Sequence, residues 1–600
     1  MEKRTVIAVV LSMAVIFGFY LIMGAIYPQT PAAPAPAAAE PSQAQTSPAP
    51  SQELVRSENV PAPPAAAVAP ESGSGEPLPE PPVIIDTNLM TVTLTNAGGD
   101  ITSLRLKEHK EKGNTPVEMI FSGSSQAHAF SVSFGNEEDL LAGRIRPESS
   151  YFRVRKVSDL IVEFSRDFNV SGGGTFTLTK RYEFKKDDYL FQLDVIMDGG
   201  YTVNGFNFGG ASYTLAFGPQ IGPKFEKLDQ RYEYRHYLSY KGKLKTEKVN
   251  DRSTTVITTQ PSWAAIAGKY FTLIALPYAN QYNIAFSSVP EADLPAASRL
   301  LITRPATGGS RIEDKYQFYL GPKNQEVLKR YNNADNPWKL SNTGLIEAAN
   351  TRGFLAPLET LLKWLLVFFN NIVNNYGIAI LLLTVLVKLV MFPLTRKSSE
   401  STMRMQALAP KIKEIQEKYR DNPTKMNQEM AGFYKKEGYN PMSGCLPMII
   451  QIPIFFAMYN LFNNHFDLRG AMFIPGWIPD LSLPESVFNF SPFKVPFLGW
   501  SDIRLLPFLY VGSQLLYGKV TQTPDQKGNS QMKMMLYAMP IVFFFILYDV
   551  PSGLLLYWIM SNVLTMVQQL IINKYIAKKR ALAPVDSPQP VIVPKKKRRK

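Results

Sequence analysis

Between Tyr376 and Ile572 the chain carries five apolar runs, each about long enough for a helix to cross a hydrocarbon layer roughly 30 Å thick. They are Tyr376–Leu394, Gly444–Leu461, Ile503–Val520, Met532–Asp549 and Gly553–Ile572. A backbone in lipid must satisfy its own hydrogen bonds, so unbroken apolarity of this length restricts the second half to a helix bundle. A sixth run, Thr5–Tyr27, follows Met-Glu-Lys-Arg. It exceeds the apolar core of a signal peptide and reads as an uncleaved anchor with its N-terminus inside, although Gly24-Ala25 leaves cleavage open.

Charge is distributed as such a topology requires. Residues 1–373 balance 37 Lys/Arg against 37 Asp/Glu, whereas residues 374–600 hold 27 against 13, so the whole formal charge of +14 lies in the second half. Six crossings from an inside N-terminus put residues 396–440 and the C-terminus inside. Those segments hold 10 Lys/Arg each, while Asn463–Asp502, on the outside, has only Arg469 and Lys494, in agreement with the positive-inside rule. The single cysteine, Cys445, excludes an internal disulfide framework, so an outer domain must rely on its core.

The expected fold is a polytopic α-helical membrane protein with six transmembrane helices and a large all-β periplasmic domain. An anchor (1–27) is followed by a Pro/Ala-rich linker (28–82) too poor in large apolar side chains to fold. Residues 83–345 alternate β-branched and aromatic residues with Gly, Asn and Asp turns, as in a β-sandwich. In it, Thr175–Phe184 and Tyr189–Met197 are expected to pair, and nothing reads as a long helix except 324–333. Residues 350–375 repeat leucines at helical spacing beside Glu359 and Lys363, which suits an interfacial helix. Spans are expected at 376–395, 444–462, 503–521, 532–549 and 552–573. A cytoplasmic hairpin (396–440), a periplasmic loop (463–502) and a short cytoplasmic loop (522–531) separate them, and a basic tail (574–600) ends the chain.

Little in the β-region advertises chemistry. His109, His128, His236 and His465 are scattered without metal-ligand spacing, and Gly172–Gly174 lacks the strand and helix of a phosphate loop. A binding or spacer domain is favoured.

The polar residues of the apolar runs say more. Lys388 lies roughly 18 Å along the helix from Tyr376, past the middle of the hydrocarbon, with Thr384 one turn away on the same face. Its amine either snorkels to the interface near Thr395–Lys397 or faces a hydrated cavity. Gln451 lies between two prolines of another run, and Tyr557, Ser561, Thr565 and Gln568 step down one face of the last. Singly such groups act as interhelical glue; three spans contributing them favour a shared groove. Within 396–440, Met405, Leu408, Ile412, Ile415 and Tyr419 step by three and four. Asp421-Asn422-Pro423 then turns the chain, and Met426, Met430 and Phe433 form a second stripe. This reads as an antiparallel helical hairpin, or else as a solvated connector unusually long at about 45 residues.

Three segments, Pro393–Tyr419 (PLTRKSSESTMRMQALAPKIKEIQEKY), Asn440–Phe462 (NPMSGCLPMIIQIPIFFAMYNLF) and Pro551–Gln569 (PSGLLLYWIMSNVLTMVQQ), closely resemble the YidC family of membrane protein insertases. Pro261–Phe271 and Tyr319–Pro322 are similar to the family's periplasmic domain. The resemblance implies insertion and folding of nascent inner-membrane proteins, alone or with the Sec translocon, in the bacterial inner membrane. It also implies a β-supersandwich related to sugar mutarotases without their activity. The family's groove carries a positive charge that attracts acidic segments, and that charge falls on Lys388. Thr384 then lines the groove, Trp558 takes a substrate-contact position often held by Tyr, and the hairpin of Met405, Leu408, Ile412, Met430 and Phe433 recruits substrate. The chain departs from the family where Lys388 replaces the usual Arg and where Met442-Ser443 replaces Leu-Gly. Lysine keeps a point charge but loses the bidentate fork.

No metal, nucleotide, small-molecule substrate or enzymatic step is called for. Two rivals stay open: a small-molecule transporter with a midplane site, for which internal repeats are not evident, and an anchored sugar-processing enzyme. The tail residues Lys595, Lys596, Lys597, Arg598, Arg599 and Lys600 bind ribosomal RNA, contact anionic lipid, or simply hold the C-terminus inside.

Overall fold

A computed structural model describes residues 71–72, 77–111, 115–120, 128–170, 174–217, 221–222, 234–257, 259–279, 281–289, 298–349, 355–438, 446–496, 498–521 and 530–581. The expected anchor, nearly all of the linker, the Lys595–Lys600 tail and the side chain of Met405 lie outside the described residues.

The first half is an antiparallel β-domain of one ten-stranded, one five-stranded and one four-stranded sheet. Burial follows sequence pattern strand by strand. Ile161–Asn169 and Thr175–Glu183 alternate buried and partly exposed residues, so one face meets the core and the other meets water. Further in, Trp263–Ala267 and Phe271–Pro277 are buried throughout, Leu190–Asp198 nearly so and Arg311–Pro322 from Tyr316 onward, because the middle of the large sheet is covered on both faces. Thr175–Glu183 pairs with Leu190–Asp198 in the register Gln192 to Glu183. The helical stretch after the last strand is short: Gln325–Lys329, capped by the Asn324 side chain, then the 3-10 turn Arg330–Asn332.

One buried ion pair joins the large sheet to the four-stranded sheet. Lys180 and Asp100 are both buried, and the Lys180 amine donates to Asp100, to Gly98 O at 3.0 Å and to Phe130 O at 2.8 Å. All three ammonium protons are thereby used, as a charge in an apolar core requires.

The second half is helical: α1 Ala356–Val373, α2 Tyr376–Lys418, α3 Pro423–Lys436, α4 Leu446–Asn464, α5 Leu505–Thr521, α6 Ser530–Leu547 and α7 Ser552–Ala581. Among the described residues, α1, Tyr376–Ser401 of α2 and Ser552–Tyr575 of α7 are long and apolar enough to cross a membrane. The expected break between the first span and the hairpin is absent. α2 continues through Pro393 and Pro410 as one helix of 43 residues, since a proline removes one hydrogen bond without obliging a long helix to end. At about 64 Å it is twice the hydrocarbon thickness, so its second half must project beyond the bilayer. Asn422 caps α3 by accepting from Lys425 N, and Pro423 occupies its first turn.

The two halves meet at the turn after α4. Phe466 contacts the His109 ring edge-on at 5.1 Å, the Arg469 guanidinium lies 5.1 Å from the Phe271 ring centre, and Lys363 Nζ donates to Gln325 Oε1 at 3.2 Å.

Candidate functional site

The bundle is packed at one end and open at the other. On α2 the buried residues Ala379, Ile380, Leu383 and Thr384 lie near its start; from 385 to 397 none is buried, and Leu389 and Val390 are exposed. On α4 the buried side chains Ala457, Met458, Leu461 and Phe462 lie near its end, while Ile449, Ile450 and Ile452 are exposed. α7 follows the same trend from its own start, with Leu554, Leu555, Tyr557, Trp558 and Ser561 buried and Val567, Leu570 and Ile571 exposed, although Gln568 and Ile572 on its second half, like Ser398 on α2, stay buried. The packed end is the one that carries Tyr376, Asn464 and Ser552.

Lys388 stands where the packing gives way. It is partly buried, and its amine donates to Thr565 Oγ1 of α7 at 2.8 Å, while Gln568 Nε2 donates to Lys388 O at 3.0 Å. Thr565 in turn donates to Ser561 O at 2.6 Å. Among the described residues Lys388 has no carboxylate partner, and its amine is held by a neutral hydroxyl. Point attraction needs no more than this, and an amine on four methylenes can leave the hydroxyl without moving the backbone.

Not all the sequence-derived groove residues meet there. Thr384 is fully buried and turns its hydroxyl back to Ile380 O at 2.6 Å, which satisfies it within α2. Tyr557 is buried against Phe462, with ring centres 6.0 Å apart. Trp558 lies parallel to Phe455 at 5.0 Å and meets Tyr510 at 5.8 Å, and its buried indole nitrogen has no hydrogen-bond partner among the described residues. Ser561 is buried one turn from Thr565. Gln451 is partly buried on the open half of α4. In the hairpin, Leu408, Ile412, Met430 and Phe433 are each only partly buried, and α3 has no buried residue at all.

Two polar contacts escaped the reading of the sequence. Asn562 Nδ2 donates to Ser513 Oγ at 2.9 Å, joining α7 to α5. Glu359 is 3 % exposed and accepts from Asn460 Nδ2 at 2.7 Å, joining α1 to α4. A polar residue inside an apolar run was the signal in both cases; the partners are too distant in sequence to be read from it.

No group of three or more His, Cys, Asp and Glu that could hold a metal ion occurs among the described residues.

Residues 368–579 match the family described as 60Kd inner membrane protein, and residues 82–345 the family described as YidC periplasmic domain. The membrane protein insertase YidC of Treponema denticola is 42 % identical over 592 residues, covering 96 % of this chain and 100 % of that one. The same-named protein of Treponema pallidum is 37 % identical over 622 residues, covering 96 % and 99 %. A crystal structure of an active YidC insertase with its first transmembrane domain resolved aligns over 84 % of this chain and 94 % of that one, at 15 % identity and a TM-score of 0.33.

Proposed function

The chain belongs to the YidC family of membrane protein insertases, and from that premise we propose that it inserts inner-membrane proteins and helps them fold, alone or with the Sec translocon. It is an inner-membrane protein with a large periplasmic domain. In this reading six helices cross the bilayer, α1 lies in the interface, and both termini are cytoplasmic. The β-domain is a supersandwich that serves as a spacer or binding module and has no sugar chemistry of its own.

One observation carries the mechanism: the packing of the bundle loosens away from the end that carries Tyr376, Asn464 and Ser552, and the amine of Lys388, held by the Thr565 hydroxyl, stands at that boundary; in this reading the packed end is the periplasmic one. Water entering the open half shortens the apolar barrier that a polar segment must cross. An acidic segment of the substrate enters, exchanges the Thr565 hydroxyl for its own carboxylate on Lys388, and passes the short remaining barrier. The apolar helix behind it leaves sideways into lipid, driven by the burial of its own surface, about 25 cal/mol per Å². Lys388 is a receptor for charge and not a catalyst, and no cofactor is consumed. Gln451, Trp558 and Ser561 line the path, and Tyr557 closes it.

The half-buried apolar seam of α2 and α3 suits transient capture of apolar nascent segments. The basic tail, Lys595 to Lys600, favours phosphate-rich partners, either a ribosome or anionic lipid.

The purified chain in sealed vesicles tests the reading. Added to a translation reaction that makes a small membrane protein with an acidic periplasmic tail, it should protect the crossing segment from external protease. No protection above that of empty vesicles would set the insertase reading aside.

A further inference from the structure

The segment after α4 ends in a small hairpin that the groove does not use. Phe488–Asn489 pairs with Asp502–Ile503 in antiparallel register, and the ladder continues through Phe490 N to Ser501 O at 2.9 Å and Val495 N to Trp500 O at 2.8 Å.

One side of the hairpin is fixed to the end of α6. Trp500 stacks on Tyr548 with ring centres 3.6 Å apart, the Tyr548 hydroxyl donates to Asp502 O at 2.7 Å, and Arg504 donates to Asp549 and to Tyr548 O. The opposite face carries the cross-strand pair Phe488 and Ile503, since neighbouring pairs point to opposite sides of a ladder. These two are exposed at 60 % and 50 %, and near the tip Phe493 is exposed at 62 %. Three large apolar side chains so exposed on one short loop need an apolar neighbour.

The position of the hairpin supplies one. Ile503 leads directly into α5, on which Phe508 and Leu509 are exposed, and Phe545 of α6 is exposed beside Trp500. Aromatic side chains at the end of a spanning helix belong at the headgroup level, where an apolar ring and a polar backbone are both satisfied. Lys494, exposed beside Phe493, adds a positive charge suited to anionic headgroups. We infer that the 486–503 hairpin lies in the outer headgroup region of the inner membrane, with Phe488, Phe493 and Ile503 inserted among the lipids. It thereby anchors the periplasmic ends of α5 and α6. This rests on the reading of α5 and α6 as spans.

The test uses the full chain with Cys445→Ser, in vesicles of phosphatidylethanolamine and phosphatidylglycerol, carrying a single cysteine labelled with nitrobenzoxadiazole. Label sites are Phe493→Cys, Phe488→Cys as an independent second site, Phe508→Cys on the span, and Tyr201→Cys on the fully exposed β-domain surface. At 488 and 493 the label should lose most of its emission to lipids with a doxyl group near the headgroup and be shielded from iodide, while the label at 201 behaves oppositely. Iodide quenching at both hairpin sites equal to that at 201 would overturn the inference. So would shielding from iodide without doxyl quenching, which would point to a protein in place of lipid. The label at 508 separates the premise from the inference: absence of doxyl quenching there would mean that α5 is not a span.

Discussion

Thr565 holds Lys388: its hydroxyl accepts from the amine at 2.8 Å and donates to Ser561 O at 2.6 Å, so one side chain fixes both the direction of the charge and its own orientation. A hydroxyl can do this without neutralising the amine, which a carboxylate at the same place would do.

Thr565→Val removes the acceptor and lets the amine wander. A hydrogen bond to a charged group contributes about 1.5–3 kcal/mol, so initial rates of insertion of an acidic-tailed substrate should fall by roughly ten- to a hundredfold if the contact is fully used to position the amine. Thr565→Ser should stay near the parent rate. Equal rates for Val and Ser would mean that the contact does not position the amine.

The Lys180–Asp100 pair is a second relationship with a measurable consequence. Lys180→Met leaves Asp100 buried without its counter-ion and should lower the stability of the β-domain by about 3–5 kcal/mol. Lys180→Met combined with Asp100→Leu should recover much of that loss, because two apolar side chains need no partner. Protease resistance of the β-domain against temperature would check both.

Gly377 is a packing constraint within the first turn of α2. A Cβ there would lie 2.1 Å from the Phe473 ring, closer than real atoms approach. Gly377→Ala should therefore cost about 1–3 kcal/mol by overpacking, and Phe473→Ala in the same chain should relieve part of the cost. Thermal unfolding in detergent of the two single variants and the double variant gives the coupling directly.

Acid should loosen the junction between the halves. Burial pushes the His109 ring down to about 4, helped by Arg469 and opposed by Glu108, and pushes His465 down to about 3, helped by Lys363. Both rings are neutral in the docked state and charge more readily when released, with an ordinary value of 6.5. The contribution to stability is therefore complete above that value and falls as pH drops toward 4 and 3. The distance between spin labels on the β-domain and on the membrane half should broaden between neutral pH and about pH 4.5. His109→Phe with His465→Phe should flatten the response.

The sequence revealed what depends on period. Alternation in Thr175–Phe184 and Tyr189–Met197 identified a strand pair, and the apolar runs identified the helices around Lys388. Thr565 was recognisable as part of a polar face on the last run, but its contact with Lys388 was not, because 177 residues separate them and only packing brings them together. The same holds for Glu359 and Asn460. The uninterrupted α2 was also not evident, since Pro393 and the charges from Arg396 onward look like a boundary while the backbone continues through them. Thr384 shows the converse: the sequence suggested a groove-lining hydroxyl, and its hydroxyl bonds instead to its own helix.

The central claim is that a positive charge at position 388 receives acidic substrate segments. The most direct measurement is insertion of an acidic-tailed membrane protein in insertase-depleted cells, complemented at matched expression by this chain or by its Lys388→Arg, Lys388→Ala or Lys388→Glu form. The account predicts rescue by the parent and Arg forms, loss with Ala and a deeper loss with Glu, with the order reversed for a substrate whose tail acids are changed to lysines. Full activity of the Ala and Glu forms on the acidic substrate would contradict it.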